Sequence, residues 1–208
     1  MVYCVLSVRR RCFSIDLKTV YLVRHGQTNA NLNHIIQGQT DTSLNETGLL
    51  QAQKVAEKLK IVRADLILSS DLSRAAQTAR IIAEACDVPL EFDKNLREMS
   101  LGIWEGKKFE EIESTSLSKI WFEKPSQLRL EGAERLEKVQ ERVVTAIFDA
   151  LKRCKTLIVV SHGLAIALFI LHVNGLPIDS MWEYLMDNAS VSKVILSDEL
   201  TSVTQDNL

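Results

Sequence analysis

The sequence predicts an α/β fold, a three-layer α/β/α sandwich around a mostly parallel sheet. Short apolar runs alternate with longer amphipathic patterns, which is typical of βαβ units. Two of these runs, residues 19–24 and 156–161, each lead into a His-Gly pair. Their β-favouring residues suit strands buried on both faces of a sheet. Because ligands bind beyond the carboxyl ends of such strands, we expect His25 and His162 to face each other across one pocket.

Hydrophobic periodicity and capping residues predict the elements of the first half. Asn45 is a candidate N-cap, and the apolar positions after it lie on one side of a helix. The Asp-Val-Pro sequence at 87–89 ends the second long helix. In chain order we predict a strand over 19–24, a loop with at most a short helix over 29–42, a helix over 46–60, a strand over 65–68, a helix over 71–86 and a short strand over 90–92.

The second half begins with an irregular region over 93–130, which we interpret as a lid-like insertion with short helices around 109–113 and 117–122. The elements predicted after it are a long helix over 133–152, a strand over 156–160, a helix that begins at Gly163 and ends before Asn174, and a strand over 189–196. We therefore predict one domain over 19–197, preceded by an extension over 1–18 and followed by a polar tail over 198–208.

Composition excludes several classes of protein. The chain has 208 residues, of which 46% are hydrophobic and 25% charged, as in a globular protein with a sizeable core. Its net charge of −2 gives no general attraction to nucleic acid or to an anionic membrane, so neither is an expected partner. The four cysteines form no CxxC pair and no zinc pattern. Free cysteines fit a reducing compartment, and we expect a cytoplasmic protein.

The first sixteen residues differ in composition from the rest of the chain. An apolar run over 2–8 precedes Arg9-Arg10-Arg11, whereas a secretory signal has its basic residues first. Two interpretations stay open. One is a short organellar targeting segment, and the other, which we favour, is an extension ahead of a natural start near Leu17. We expect this extension to be dispensable for folding and activity.

Several polar motifs accompany the two histidines. Arg74 lies in the first turn of a predicted helix, where the helix dipole disfavours a cation, so we expect an anion beside it. The motifs are Arg24-His25-Gly26, Asn31, Gln37-Gly38, the Asp41…Leu44…Gly48 spacing, Ser69-Ser70-Asp71-Leu72-Ser73-Arg74-Ala75, Leu96-Arg97-Glu98, Gly102-Ile103-Trp104-Glu105-Gly106, Ser161-His162-Gly163 and Asn188-Ala189-Ser190-Val191-Ser192.

In this order and spacing, the motifs resemble the histidine phosphatase superfamily, whose members include phosphoglycerate mutases and broad-specificity phosphatases. The resemblance extends over about residues 19–196. It implies phosphoryl transfer through a phosphohistidine, without a metal or any other cofactor, on a small-molecule phosphate ester. The implied catalytic residues are His25, Glu98, His162, Arg24 and Arg74. The implied substrate-binding residues are Arg24, Asn31, Gln37, Gly38, Arg74, His162 and Gly163.

The chemistry of these side chains agrees with the roles that the resemblance implies. A neutral imidazole is a competent nucleophile towards phosphorus, so we assign that role to His25. The planar forks of Arg24 and Arg74 match phosphoryl oxygens, and Asn31 and a protonated His162 would be further donors. Glu98 is the candidate that protonates the leaving oxygen and then activates water. We choose it over the nearby Glu105 because of its position in the family pattern.

Three functions stay open, and hydrolysis of a phosphomonoester is the one we favour. The alternative of a phosphoglycerate mutase is opposed by the short region between Glu98 and Glu131 and by the run over 102–106, which is similar to that of the phosphatase branch. A non-catalytic phospho-ligand binding module is the third. The apolar turn over 178–186 is a candidate surface for a homodimer. His34 and His172 belong to no motif, and we interpret both as surface residues.

Overall fold

The computed structural model describes residues 17–197 and the backbone of residues 201–202. Its centre is a six-stranded sheet in the order β3-β2-β4-β1-β5-β6. The strands are β1 (Lys18–Arg24), β2 (Leu66–Ser69), β3 (Leu90–Phe92), β4 (Thr156–Ser161), β5 (Val191–Leu196) and β6 (Thr201–Ser202). Strands β3, β2, β4 and β1 run parallel to one another, whereas β5 is antiparallel to β1 and to β6. The predicted, mostly parallel sheet is confirmed.

Helices cover both faces of the sheet, as the alternating pattern predicts. They are α1 (Asn29–Leu32), α2 (Glu46–Leu59), α3 (Ser73–Cys86), α4 (Phe109–Glu113), α5 (Ser116–Glu123), α6 (Leu136–Leu151) and α7 (Gly163–Val173). Apolar side chains of α2 and α3 pack with Val23, Ile158 and Val160 on one face. Those of α6 and α7 pack with Leu22 and Val159 on the other. Adjacent strand residues point to opposite faces, so the result is the predicted three-layer sandwich.

A capping residue accounts for where α2 begins, whereas α3 begins without a capping side chain. Asn45 caps α2, as predicted, because its side-chain oxygen accepts a hydrogen bond from the Gly48 N–H at 2.8 Å. The helix predicted from 71 begins instead at Ser73. Asp71 is not the start of the helix. Its carboxylate instead forms two hydrogen bonds with the Arg97 guanidinium.

The other differences lie at element ends. The helix predicted from 133 begins at Leu136, because Ala133 bridges to Leu101 and the Glu134 N–H donates to Ser100. In the predicted tail over 198–208, Thr201–Ser202 forms a strand paired with β5. The rest of that tail, and residues 1–16 of the extension predicted over 1–18, lie outside the described residues. Lys18, the last residue of that extension, is the first residue of β1.

Helix α7 is the most buried helix in the described part of the chain. Ten of its eleven residues are buried, and His172 is the exposed one. Among the described residues, no single helix has the length and apolar composition needed to cross a membrane. Together with the 3-10 segment Ile178–Tyr184, α7 meets that test only as a pair bent by 117°.

The predicted lid region lies between β3 and α6. It contains α4, α5 and three short 3-10 turns, Lys94–Leu96, Gly102–Trp104 and Pro125–Gln127. Trp104 and Trp121 are buried here, with their rings edge to face at 6.1 Å between centroids. This region closes one side of a cavity at the carboxyl edge of the sheet.

Candidate active site

The two histidines lie side by side because their strands are neighbours in register. Strands β1 and β4 pair in parallel with Arg24 opposite Ser161, so the next residue of each strand is a histidine. The ring centroids of His25 and His162 are 5.1 Å apart. The predicted pair at the carboxyl edge of the sheet is therefore present. The glycine after His25 is required by packing: a Cβ there would lie 2.5 Å from the Gly48 carbonyl oxygen, so Gly26 permits the close approach of α2.

His25 is buried and held in one tautomer. Its Nδ1 lies 2.7 Å from the carbonyl oxygen of Gly26. A carbonyl can only accept, so Nδ1 carries the proton and Nε2 keeps its lone pair. Burial, reinforced by the positive charge of Arg74, holds the pKa of His25 well below its usual range. The imidazole is therefore neutral at neutral pH, which is the form a nucleophile requires.

His162 is fully buried on the other strand. Its Nε2 lies 2.8 Å from the Ser70 hydroxyl, and its Nδ1 has no hydrogen-bond partner within the protein. Burial and then the charge of Arg74 hold the pKa of His162 well below its usual range. The protonated donor expected from the sequence is thus disfavoured in the ligand-free protein. If Ser70 donates to Nε2, the neutral ring still presents an Nδ1–H.

Arg74 is a fully buried cation. Its two terminal nitrogens donate to the carbonyl oxygens of Thr40 and Gly38 at 2.9 and 2.8 Å. Gly38 has φ +51°, and a side chain there would also clash with Glu105. The anion expected beside this helix start is supplied by the protein itself, because the Asp41 carboxylate accepts the Ser73 N–H at 2.7 Å.

Arg24 approaches the same site from the end of β1. One of its terminal nitrogens donates to the Met186 carbonyl oxygen. Its guanidinium carbon lies close to Gly163, at 3.5 Å from where a Cβ would stand. The guanidinium thus lies beside the N-terminus of α7, at a distance that is ordinary van der Waals contact for a side chain at position 163.

Buried donors without acceptors are concentrated at this site. In the described part of the chain, four buried side-chain atoms lack a hydrogen-bond partner, and three of them are Arg24 Nε, Arg74 Nε and His162 Nδ1. Unpaired buried polar atoms are rare and costly, so each requires an explanation. A phosphoryl group, with several negatively charged oxygens, would satisfy all three.

Glu98 lines the same cavity from the lid region. Its carboxylate accepts main-chain hydrogen bonds from Leu164 and Ala165 in the first turn of α7, each at 3.1 Å, and from Met99 at 3.0 Å. Its own carbonyl oxygen accepts hydrogen bonds from Gln39 and Arg142. Both the backbone and the side chain of Glu98 are therefore fixed.

The other candidate carboxylate, Glu105, is engaged in hydrogen bonds within the protein. Its oxygens accept hydrogen bonds from the main-chain N–H groups of Gln39, Thr40 and Leu101 and from the hydroxyls of Thr40 and Ser100. Burial raises the pKa of Glu105, but these hydrogen bonds outweigh it, and the net shift is downward. Glu98 also accepts main-chain hydrogen bonds, so position distinguishes the two carboxylates: Glu98 lines the cavity, whereas Glu105 is not among its lining residues.

The remaining predicted residues surround the histidines. Asn31, Gln37, Gly38 and Gly163 all line the cavity. Asn31 Oδ1 accepts from the Thr28 N–H at 3.1 Å, and Gln37 Oε1 accepts from the Thr42 hydroxyl at 2.6 Å. His34 and His172 are exposed, as expected.

Several residues at the site were not predicted from the sequence as site residues. Ser70 bonds His162, and the Asn188 amide donates to the His25 carbonyl oxygen at 3.1 Å. Both belong to the sequence motifs, but nothing in the motifs singles them out. Trp182 and Leu185 line the cavity and come from the apolar turn that is the candidate dimer surface. In that turn Met181 and Met186 are also buried, so much of its apolar surface faces inward.

A metal ion would need a cluster of ligating side chains at the site. Within residues 17–197, no group of three or more His, Cys, Asp or Glu side chains is placed to hold such an ion. The positive charge at the described site comes from the arginines 24 and 74.

Comparisons with known proteins agree with this geometry. The family model described as "Histidine phosphatase superfamily (branch 1)" matches residues 20–207. The chain is 34% identical over 179 residues to "Probable phosphoglycerate mutase GpmB" of Enterobacter sp. (strain 638), covering 84% of this chain and 83% of that one. Among solved structures, YhfR of Bacillus stearothermophilus has a TM-score of 0.85 at 29% identity, covering 91% and 96% of the two chains. The alpha-ribazole phosphatase of Shigella flexneri has a TM-score of 0.82 at 26% identity, covering 91% and 96%.

Proposed function

The chain belongs to the histidine phosphatase superfamily, branch 1, and on that premise we propose that it hydrolyses phosphomonoesters of small molecules through a phosphohistidine at His25. One observation carries the proposal. Three buried atoms without a hydrogen-bond partner, Arg24 Nε, Arg74 Nε and His162 Nδ1, belong to residues of the site that contains a neutral histidine whose Nε2 is free. Phosphoryl transfer depends mainly on positioning and on charge stabilisation, and these groups supply both.

The first half of the reaction forms the covalent intermediate. Nε2 of His25 attacks phosphorus while the bond from phosphorus to the ester oxygen breaks. The carboxyl group of Glu98 gives its proton to that oxygen, and the alcohol leaves. The guanidinium groups of Arg24 and Arg74 hold the phosphoryl oxygens through the transfer.

The second half returns the enzyme to its starting state. The Glu98 carboxylate takes a proton from water, and the water oxygen attacks phosphorus. The bond from phosphorus to Nε2 breaks, inorganic phosphate leaves, and Glu98 is protonated again. No metal takes part in this scheme, because arginines stabilise the charge on the phosphoryl oxygens.

A mutase is the second candidate, favoured by the 34% identity to the GpmB relative. The same residues would serve it if a second hydroxyl, instead of water, received the phosphoryl group. The fate of the phosphoryl group therefore decides between the two.

Trapping of the intermediate tests the proposal. Protein mixed with a 32P-labelled aryl phosphate and quenched within milliseconds should carry an acid-labile, alkali-stable label, and the label should then appear as inorganic phosphate. The His25→Ala variant should carry none. Label that survives in that variant would reject the nucleophile, label that ends in an organic ester would favour the mutase, and absence of turnover on any ester would favour a binding module.

A further inference from the structure

Charged and apolar side chains both line the cavity that holds the catalytic groups. Its volume is about 240 Å³. The ionisable side chains that line it, Arg24, His25, Arg74 and Glu98, are all assigned to the phosphoryl group or to the leaving oxygen. Ten further lining residues are apolar, and they include three tryptophans and a phenylalanine. A substrate whose phosphate binds the charged groups therefore has mainly apolar side chains left to contact its organic group.

Ring packing builds this wall. The rings of Trp121 and Trp182 meet at right angles with centroids 5.2 Å apart, and Trp104 meets Trp121 edge to face. Behind them, Phe122 packs against both Trp182 and Phe109, at 5.1 and 5.7 Å. Side chains that are locked by their neighbours in this way form a preorganised surface.

The one polar group of Trp182 is also used within the protein. Its indole N–H donates to the Trp121 carbonyl oxygen at 2.9 Å, so it is not free for a polar group of a substrate. Both terminal nitrogens of Arg74 likewise donate hydrogen bonds to carbonyl oxygens. Arg24 and Arg74 are the only arginine or lysine side chains among the described residues that line the cavity, and both are assigned to the phosphoryl group. A second anionic group on a substrate would thus meet no further cation there.

From this division we infer that the enzyme selects monoesters whose organic group is apolar or aromatic and carries no second charge. The inference rests on the proposed function and adds the substrate class. A cavity of about 150 Å³ can hold benzene, so about 240 Å³ suits one ring beside a phosphoryl group. A carboxylate on that ring would lose its hydration without gaining a cationic partner, which disfavours its binding.

A matched pair of aryl esters tests the inference. 4-Methylphenyl phosphate and 4-carboxyphenyl phosphate have similar shapes, and the carboxylated phenol is the better leaving group. Chemical reactivity alone therefore favours the carboxylated ester. We expect kcat/KM to be at least about tenfold higher for the methyl ester. Equal values, or a preference for the carboxylated ester, would overturn the inference.

Variants at the mouth of the cavity provide the converse test. Leu185 lines the cavity and is 38% exposed, so an arginine there can reach both the ligand and water. Leu185→Arg should lower the preference for the methyl ester by about tenfold or more, because it supplies the missing partner. Leu50→Arg, at a 59% exposed position on α2, is the matched control and should leave the preference unchanged. An unchanged preference in a folded Leu185→Arg protein would count against the inference.

Inhibitors separate this inference from the proposed function. 4-Methylbenzyl phosphonate and 4-carboxybenzyl phosphonate cannot be hydrolysed, and calorimetry measures their Kd whether or not the protein turns over a substrate. Tighter binding of the methyl compound, by about tenfold, supports the inference even if no ester is hydrolysed. Equal affinities would overturn it even if both esters are good substrates.

Discussion

Arg142 should control the position of Glu98 although it does not line the cavity. Its guanidinium forms five hydrogen bonds: to the carbonyl oxygens of Asn95, Arg97 and Glu98 and to both carboxylate oxygens of Glu134. The side chain is only 16% exposed. One residue of α6 thus holds the main chain on which the proposed proton donor is carried.

Arg142→Met removes all five hydrogen bonds and leaves Glu134 without its cation. Hydrogen bonds to charged groups contribute about 1.5–3 kcal/mol each when buried, and the loss of one partner of a buried ion pair costs about 3–5 kcal/mol. Because Glu134 is 28% exposed and keeps its bonds to Ser100 and Gln39, we expect a loss of about 2–4 kcal/mol in unfolding free energy. Urea denaturation measures it.

The catalytic effect should depend on the leaving group. A displacement of about 1 Å can cost roughly 100-fold in rate. 2-Phenylethyl phosphate leaves as a basic alkoxide and needs the proton of Glu98, whereas 4-nitrophenyl phosphate needs it far less. We expect Arg142→Met to reduce kcat on the alkyl ester by about 10- to 100-fold and on the aryl ester by less than about threefold. Arg142→Lys, which keeps a charge, should give an intermediate ratio.

A surface arginine provides the control. Arg153 forms a two-point pair with Glu91, but the two side chains are 57% and 46% exposed. Arg153→Met should change stability by less than about 1 kcal/mol and leave the ratio of the two esters unchanged. Equal losses on both esters in Arg142→Met would show that the arginine supports the fold in general and would refute its role in placing Glu98.

Four further predictions concern the site and the N-terminal extension. Glu98→Gln should lose about 10²–10⁴-fold on the alkyl ester but much less on the aryl ester, and equal losses would remove Glu98 from the acid role. Activity on 4-nitrophenyl phosphate should survive excess EDTA, and a complete loss that Mg²⁺ or Zn²⁺ restores would reject the metal-free scheme. A chain that starts at Leu17 should match the full chain in Tm and turnover, whereas a Tm lower by several degrees would show that residues 1–16 pack into the domain. The unfolding free energy should decrease as pH falls below about 6.5, because His25 and His162 bind protons in the unfolded state at a pH where they do not in the folded state. Urea denaturation midpoints at pH 7.5 and 5.5 measure this decrease. His162→Asn should reduce the difference between the two midpoints.

The sequence predicts the sheet and its histidine pair because both depend on local pattern. An apolar strand that ends in His-Gly is visible in the chain, and parallel neighbours place equivalent strand ends together. Element ends are less visible, because partners distant in sequence set them. No residue near position 133 indicates that Ala133 and Glu134 will contact Leu101 and Ser100, so that α6 begins after them. The strand Thr201–Ser202 lies in a polar stretch that has no strand pattern.

The apolar half of the site was less predictable than its charged half. Glu98 and Arg74 belong to motifs, whereas Trp182 reaches the cavity only because the turn after α7 folds back over the lid region. An apolar turn can face a partner or its own core, and the two have the same composition. The choice between them depends on tertiary packing, here the perpendicular contact of Trp182 with Trp121.

With these unpartnered buried atoms, the proposed site would need no strongly basic surface to bind phosphate. Arg24 and Arg74 anchor their terminal nitrogens on main-chain carbonyl oxygens and leave each Nε without a partner. Because the donors are fixed before the ligand arrives, little reorganisation accompanies binding. The free protein bears the unfavourable energy of these unpaired groups, and a bound phosphoryl group removes it. Ligand affinity and fold stability are therefore linked at this one site, whatever the net charge of −2 does elsewhere on the surface.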